Sequence, residues 1–134
     1  MSDPASSKAP ALIIKGMMYF FAAIAAVTGP MAFFTGTGVV PTNEVVSASL
    51  DNEFRFFSVF WFAYGIVCFL VARDLDKRRD WVPGLAAVML LAGLARVTST
   101  IMVGRPLDQY FYGAAIELVF PVVLYLCYRN LKPS

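Results

Sequence analysis

Arg96 and Glu117 are charged side chains inside long apolar runs, and Asp51-Asn52-Glu53-Phe54-Arg55 brings three more charges to the mouth of another such run. A guanidinium beside a carboxylate can hold an anionic or carbonyl oxygen, and a carboxylate in a dry site can move a proton if its affinity for that proton is raised. In hydrocarbon an unpaired charge costs at least ~2.5 to 3.5 kcal/mol on insertion scales, so each of these groups requires compensation. Other chemistry is excluded by composition. Histidine is absent, which removes a His-centred zinc site and a Ser-His hydrolase. Cys68 and Cys127 form no CxxC or other metal-ligand spacing, so they are expected to be reduced structural thiols, and no metal is expected.

Helical geometry gives these charges a depth. Arg96 precedes Gly104 by about 12 Å of helix and Glu117 follows Leu107 by about 15 Å, at 1.5 Å per residue. Their helices are joined by the tight turn at Gly104-Arg105-Pro106. An Arg96–Glu117 ion pair is therefore expected, with Glu53 entering the membrane from the same side. Arg96 shares its face with Ala92, Gly93, Ser99 and Thr100, and Glu117 shares one with Tyr110, Gly113, Ala114 and Pro121. Pro121 lacks the N–H that would bond the carbonyl of Glu117. Glu53 aligns with Phe57, Phe60 and Tyr64, expected to face inward, while Arg55 is turned about 200° away, toward lipid headgroups or a partner. Asp51 or Asn52 is the expected helix N-cap.

The elements that must carry these groups are spanning helices. Of 134 residues, 59% are hydrophobic and only 15% charged, the balance of a membrane protein. The chain reads as a disordered lead at residues 1–11 and a transmembrane domain at residues 12–131, with spans at 12–35, 54–72, 82–103 and 107–128. The first run is too long for the apolar core of a signal peptide, so it is read as a retained span, kinked at Pro30. Gly36-Thr37-Gly38 ends it, and the valines that follow allow a short strand at residues 38–41. Trp81-Val82-Pro83 opens the third span, with tryptophan at interfacial depth and proline in the first turn.

Lys8, Lys15, Arg73, Lys77, Arg78, Arg79, Arg129 and Lys132 fall on one side of this arrangement, and only Arg55 and Arg105 flank the other. The positive-inside rule then puts both termini in the cytoplasm of a multi-pass protein of the inner (plasma) membrane. The expected fold is an all-α, integral membrane, four-helix up-and-down bundle. A formal charge of +2, dispersed in short clusters, argues against a nucleic-acid partner.

Taken together, Asp51-Asn52-Glu53-Phe54-Arg55-Phe56-Phe57, Ala72-Arg73-Asp74, Gly93-Leu94-Ala95-Arg96 and Glu117-Leu118 with Pro121 resemble a family of small four-helix bacterial membrane proteins. That family is known as a domain of unknown function (the 4345 type), and the chain is more distantly DoxX-like. The resemblance implies that Glu53, Arg55, Arg96 and Glu117 are the family's polar positions, and it carries no agreed activity.

The residues themselves point to binding. The expected site is an outward-facing polar pocket between helices, lined by Glu53, Arg96, Glu117, Tyr64 and Tyr110, that accepts a small amphipathic molecule such as a lipid or quinone. No resident cofactor is expected beyond such a ligand. The alternative is a non-catalytic accessory or assembly subunit, in which the charge cluster only sets helix register. Expected partners are the bilayer, the lipid-like ligand, and a second copy or another membrane protein. Catalysis, with Glu117 or Glu53 shuttling a proton during lipid isomerisation or reduction, is disfavoured because the neighbouring Arg96 stabilises the charged carboxylate. No residue is assigned a catalytic role.

Overall fold

The computed structural model describes residues 8–42 and 45–131. These form four long helices: α1 (Ala9–Thr35), α2 (Ala48–Arg73), α4 (Val82–Val103) and α5 (Asp108–Arg129), with a single-turn helix α3 (Leu75–Arg78) between α2 and α4. No strand occurs among the described residues. All four long helices are long and apolar enough to cross a membrane. At 1.5 Å per residue even the shorter ones reach about 33 Å, against a hydrocarbon core of about 30 Å. The protein is a multi-pass membrane protein.

The ends of the helices depart from the sequence reading in informative ways. The lead expected at residues 1–11 lies outside the described residues as far as residue 7, but Ala9, Pro10 and Ala11 already belong to α1. Proline needs no donor partner in a first turn, so Pro10 is compatible with that position. Lys132 also lies outside the described residues. The strand allowed at residues 38–41 is absent; Gly36–Val39 forms a 3-10 turn, after which Val40 is extended. Helix α2 begins at Ala48, six residues before the expected span, and its cap is neither Asp51 nor Asn52. Ser47 Oγ accepts the N–H of Leu50 (3.2 Å), the N-cap geometry, which leaves Asp51 inside the helix and free for other partners.

The chain divides into two compact units, Met18–Arg73 and the combination of Met1–Met17 with Asp74–Ser134. Within Met18–Arg73, α1 and α2 run antiparallel. The ring of Tyr19 meets that of Phe69 at 6.0 Å, Thr28 meets Trp61, and Phe33 meets Arg55, so positions rise on one helix as they fall on the other. Close approach depends on Gly65, where any Cβ would overlap the methyl of Ala25. The buried stripe of α2 is Ser58, Gly65, Cys68, Val71 and Ala72. Of the face expected inward on α2, Glu53, Phe57 and Phe60 are thus exposed, while Tyr64 is half-buried. Lipid solvates a phenylalanine as well as a neighbouring helix does, so small residues gather where backbones meet and bulky apolar ones are left to face outward.

A polar link inside this apolar pair is Trp61 Nε1 donating to Thr28 Oγ1 (2.8 Å), while the Thr28 hydroxyl donates to the carbonyl of Ile24 (2.8 Å). Replacing Trp61 by phenylalanine keeps most of the ring and removes the donor. A loss of about 0.5 to 1 kcal/mol is expected in detergent unfolding titrations, the usual size of an interhelical hydrogen bond in a membrane. Thr28→Val should match it, and the double variant should cost no more than the larger single one.

In the second unit α4 and α5 are likewise antiparallel. Val82, Leu85, Ala86, Met89 and Gly93 form the buried stripe of α4, at helical spacing, and Ala114, Pro121 and Leu124 that of α5. Pro30 and Pro121 both lie inside helices that continue past them.

Candidate functional site

Continuing the buried stripe of α4 by one turn beyond Gly93 reaches Arg96, and between Ala114 and Pro121 on α5 lies Glu117. Gly93 permits the approach: a Cβ there would come within 2.9 Å of Leu118 Cδ2 and 3.1 Å of the carbonyl carbon of Glu117. With the backbones this close, Arg96 Nε donates to Glu117 Oε2 at 2.6 Å, a short charge-assisted bond. Depth and phase anticipated this pair. The Arg96 guanidinium also lies 5.9 Å from the centroid of the Tyr110 ring, within cation–π reach. Thr100 turns its hydroxyl onto the Arg96 carbonyl (2.9 Å) and does not serve the guanidinium.

The two partners differ in exposure. The Glu117 side chain is 12% exposed and the Arg96 side chain 42%. Only Nε of Arg96 is engaged; among the described residues no acceptor reaches Nη1 or Nη2. A guanidinium presents its remaining N–H groups as a planar fork suited to oxygen acceptors. No other charged side chain lies in α4 or α5 away from their first and last turns.

Sequence reasoning missed a second polar cluster, at the connection between α1 and α2. Asp51 Oδ1 accepts the backbone N–H of Thr37 (2.9 Å) and the Thr37 hydroxyl (3.1 Å), while Oδ2 accepts Arg55 Nε (2.7 Å). Arg55 Nη1 donates to the carbonyls of Phe33 (2.7 Å) and Phe34 (2.9 Å), two of the acceptors left unpaired at the end of α1. A cation at a helix C-terminus also faces the negative end of its dipole. Arg55, expected at lipid headgroups, therefore has Nε and Nη1 taken by protein acceptors. The i,i+4 spacing of Asp51 and Arg55 was a readable signal for half of this clasp. Its other half, main-chain carbonyls more than 20 positions upstream, leaves no mark in side-chain types.

Of the residues singled out by sequence, Arg96, Glu117 and Tyr110 come together on α4 and α5. Glu53 and Tyr64 are carried by α2, in the other unit; Glu53 is exposed, and Tyr64 stacks on Trp61 with ring centroids 5.9 Å apart. Two apolar grooves of about 220 and 530 Å³ run along α1 and α2, the larger bordered by Tyr19, Ala26, Gly65 and Phe69. None of the five expected pocket residues lines either groove. Cys68 and Cys127 are free thiols, and no group of metal-binding side chains occurs among the described residues.

The family described as Domain of unknown function (DUF4345) matches residues 13–128, nearly the whole helical region. The chain belongs to this family. Its match runs from α1 to the last turn of α5, and so includes both the Arg96–Glu117 pair and the Asp51–Arg55 clasp. No curated protein and no solved structure matches the chain.

Proposed function

We propose that this member of the family binds a small amphipathic molecule, a lipid or a quinone, through Arg96. The observation that carries the reading is the half-open guanidinium: inside a spanning helix, Nη1 and Nη2 meet no acceptor among the described residues while the side chain is 42% exposed. Unsatisfied N–H groups in hydrocarbon cost several kcal/mol, and a bound molecule that offers oxygen removes that cost. Glu117 anchors Arg96 through Nε and so fixes the direction of the remaining fork, and Tyr110 flanks it. Arg96, Glu117 and Tyr110 make up the proposed site, whereas Glu53 and Tyr64, also expected to line it, are carried by α2. Residence in the inner membrane with both termini in the cytoplasm belongs to the same proposal, supported by the bias of lysine and arginine toward one side of the spans.

A mass-spectrometric inventory of small molecules that purify with the protein tests the reading. Wild type should carry an oxygen-bearing amphipathic molecule near one per chain, and Arg96→Leu should lower that occupancy to about half or less, the result of a roughly tenfold loss of affinity, about 1.4 kcal/mol of binding. Equal retention by both proteins would sink it. If Arg96→Leu combined with Glu117→Leu folds and keeps full function in cells, the protein is an accessory subunit and the charge pair is structural.

A further inference from the structure

We infer that the molecule held at Arg96 is a neutral carbonyl compound and not an anion. This rests on the reading of Arg96 as a ligand-holding group and narrows the class of ligand it takes.

The deciding quantity is the charge already present. Arg96 and Glu117 are joined at 2.6 Å, so the site is neutral as a pair before anything binds. Away from their first and last turns, α4 and α5 contain no further cation that an incoming anion could meet. A carboxylate or phosphate at the open Nη groups would leave a net negative charge within the spanning segment. It would also share one guanidinium with Glu117, which puts two like charges a few ångströms apart in a medium that screens them poorly. A ketone, quinone or ester oxygen accepts the same N–H groups without changing the charge of the site. It satisfies the donors of Arg96 and leaves the Arg96–Glu117 bond intact.

The guanidinium fork alone would favour an anion, because bidentate carboxylate and phosphate are its usual partners. Glu117 reverses that preference. It occupies Nε with a short bond and is only 12% exposed, so it is not readily displaced by a competitor arriving from outside. The selectivity of the site therefore resides in Glu117, a positioning residue whose charge decides what Arg96 accepts.

Two probes of matched chain length separate the possibilities: a decyl-substituted benzoquinone, which is neutral, and decanesulfonate, which is charged at every accessible pH. Binding of each to the full chain in nonionic micelles is measured by equilibrium dialysis. Wild type is expected to bind the quinone at least about tenfold more tightly than the sulfonate. Glu117→Gln keeps the shape of the side chain and gives the site a net positive charge, so it should shift the ratio toward the sulfonate by about tenfold or more. Sulfonate binding to wild type as tight as that of the quinone, or a ratio unmoved in folded Glu117→Gln, overturns the inference. If wild type binds neither probe, or binds both unchanged after Arg96→Leu, the ligand-binding reading itself fails. Where Glu117→Gln does not fold, the wild-type comparison decides alone.

Discussion

Glu117→Leu is expected to destabilise the protein by about 3 kcal/mol, because it strands a guanidinium in the membrane without its counter-charge. The reverse substitution, Arg96→Leu, should cost less. A carboxylic acid left alone in hydrocarbon can take up a proton and become neutral, an escape closed to a guanidinium. Combining both leucines removes the two charges together, and the double variant should return to within about 1 kcal/mol of wild type, since apolar replacement of a whole pair is often neutral. The measurement is reversible unfolding in mixed micelles followed by helical circular dichroism. Equal costs for the two single variants would mean that Arg96 is compensated by something other than Glu117. The order Glu117→Leu, then Arg96→Leu, then the double variant, from least to most stable, is the signature of the pair.

The second large effect belongs to Gly36. Its φ is +60°, the left-handed region, and a Cβ on it would run into the Asp51 carboxylate and the Arg55 guanidinium. Gly36→Ala thus meets two obstacles. The backbone conformation costs a side-chain-bearing residue about 1 to 2 kcal/mol, and the steric overlap forces apart the clasp that ties the end of α1 to the start of α2. A total of about 2 to 3 kcal/mol is expected, together with faster proteolysis at the connection between the two helices. Gly38 is the internal control. It lies two positions away in the same turn, has no positive φ, and would meet nothing within 4 Å. Gly38→Ala should be close to neutral. If both substitutions behave alike, the close packing of Gly36 beneath the ion pair is not what holds the connection.

The contrast between these glycines shows where sequence reading reaches its limit. Gly36-Thr37-Gly38 announces a turn, but nothing in the three residues says which glycine lies under an ion pair formed 15 and 19 positions later. The Asp51–Arg55 spacing could be read as a helical pair, yet the carbonyls of Phe33 and Phe34 that complete the clasp are identical in type to every other carbonyl in the chain. Helix α2 shows a different limit. Helical phase aligns Phe57 and Phe60 with Glu53 and so points them inward, and in a soluble protein large apolar groups would also seek the interior. In a bilayer that driving force disappears, and the inward positions went to Ser58, Gly65 and Cys68, which allow close backbone contact.

By itself the sequence determined the class of the molecule and the pairing of its deepest charges. Four apolar runs separated by polar turns can satisfy their backbone in hydrocarbon only as helices. Two charges at equal depth on helices joined by one tight turn have each other as the nearest compensation, which the 2.6 Å bond between Arg96 and Glu117 realises. The tertiary structure alone decided that Nη1 and Nη2 of Arg96 meet no acceptor among the described residues while Glu117 is nearly covered, that Asp51 binds the turn instead of capping its helix, and that Glu53 lies on the exposed face of α2. Each of these depends on rotamer, backbone approach and small-residue contact between helices, and a one-dimensional pattern of residue types does not encode them.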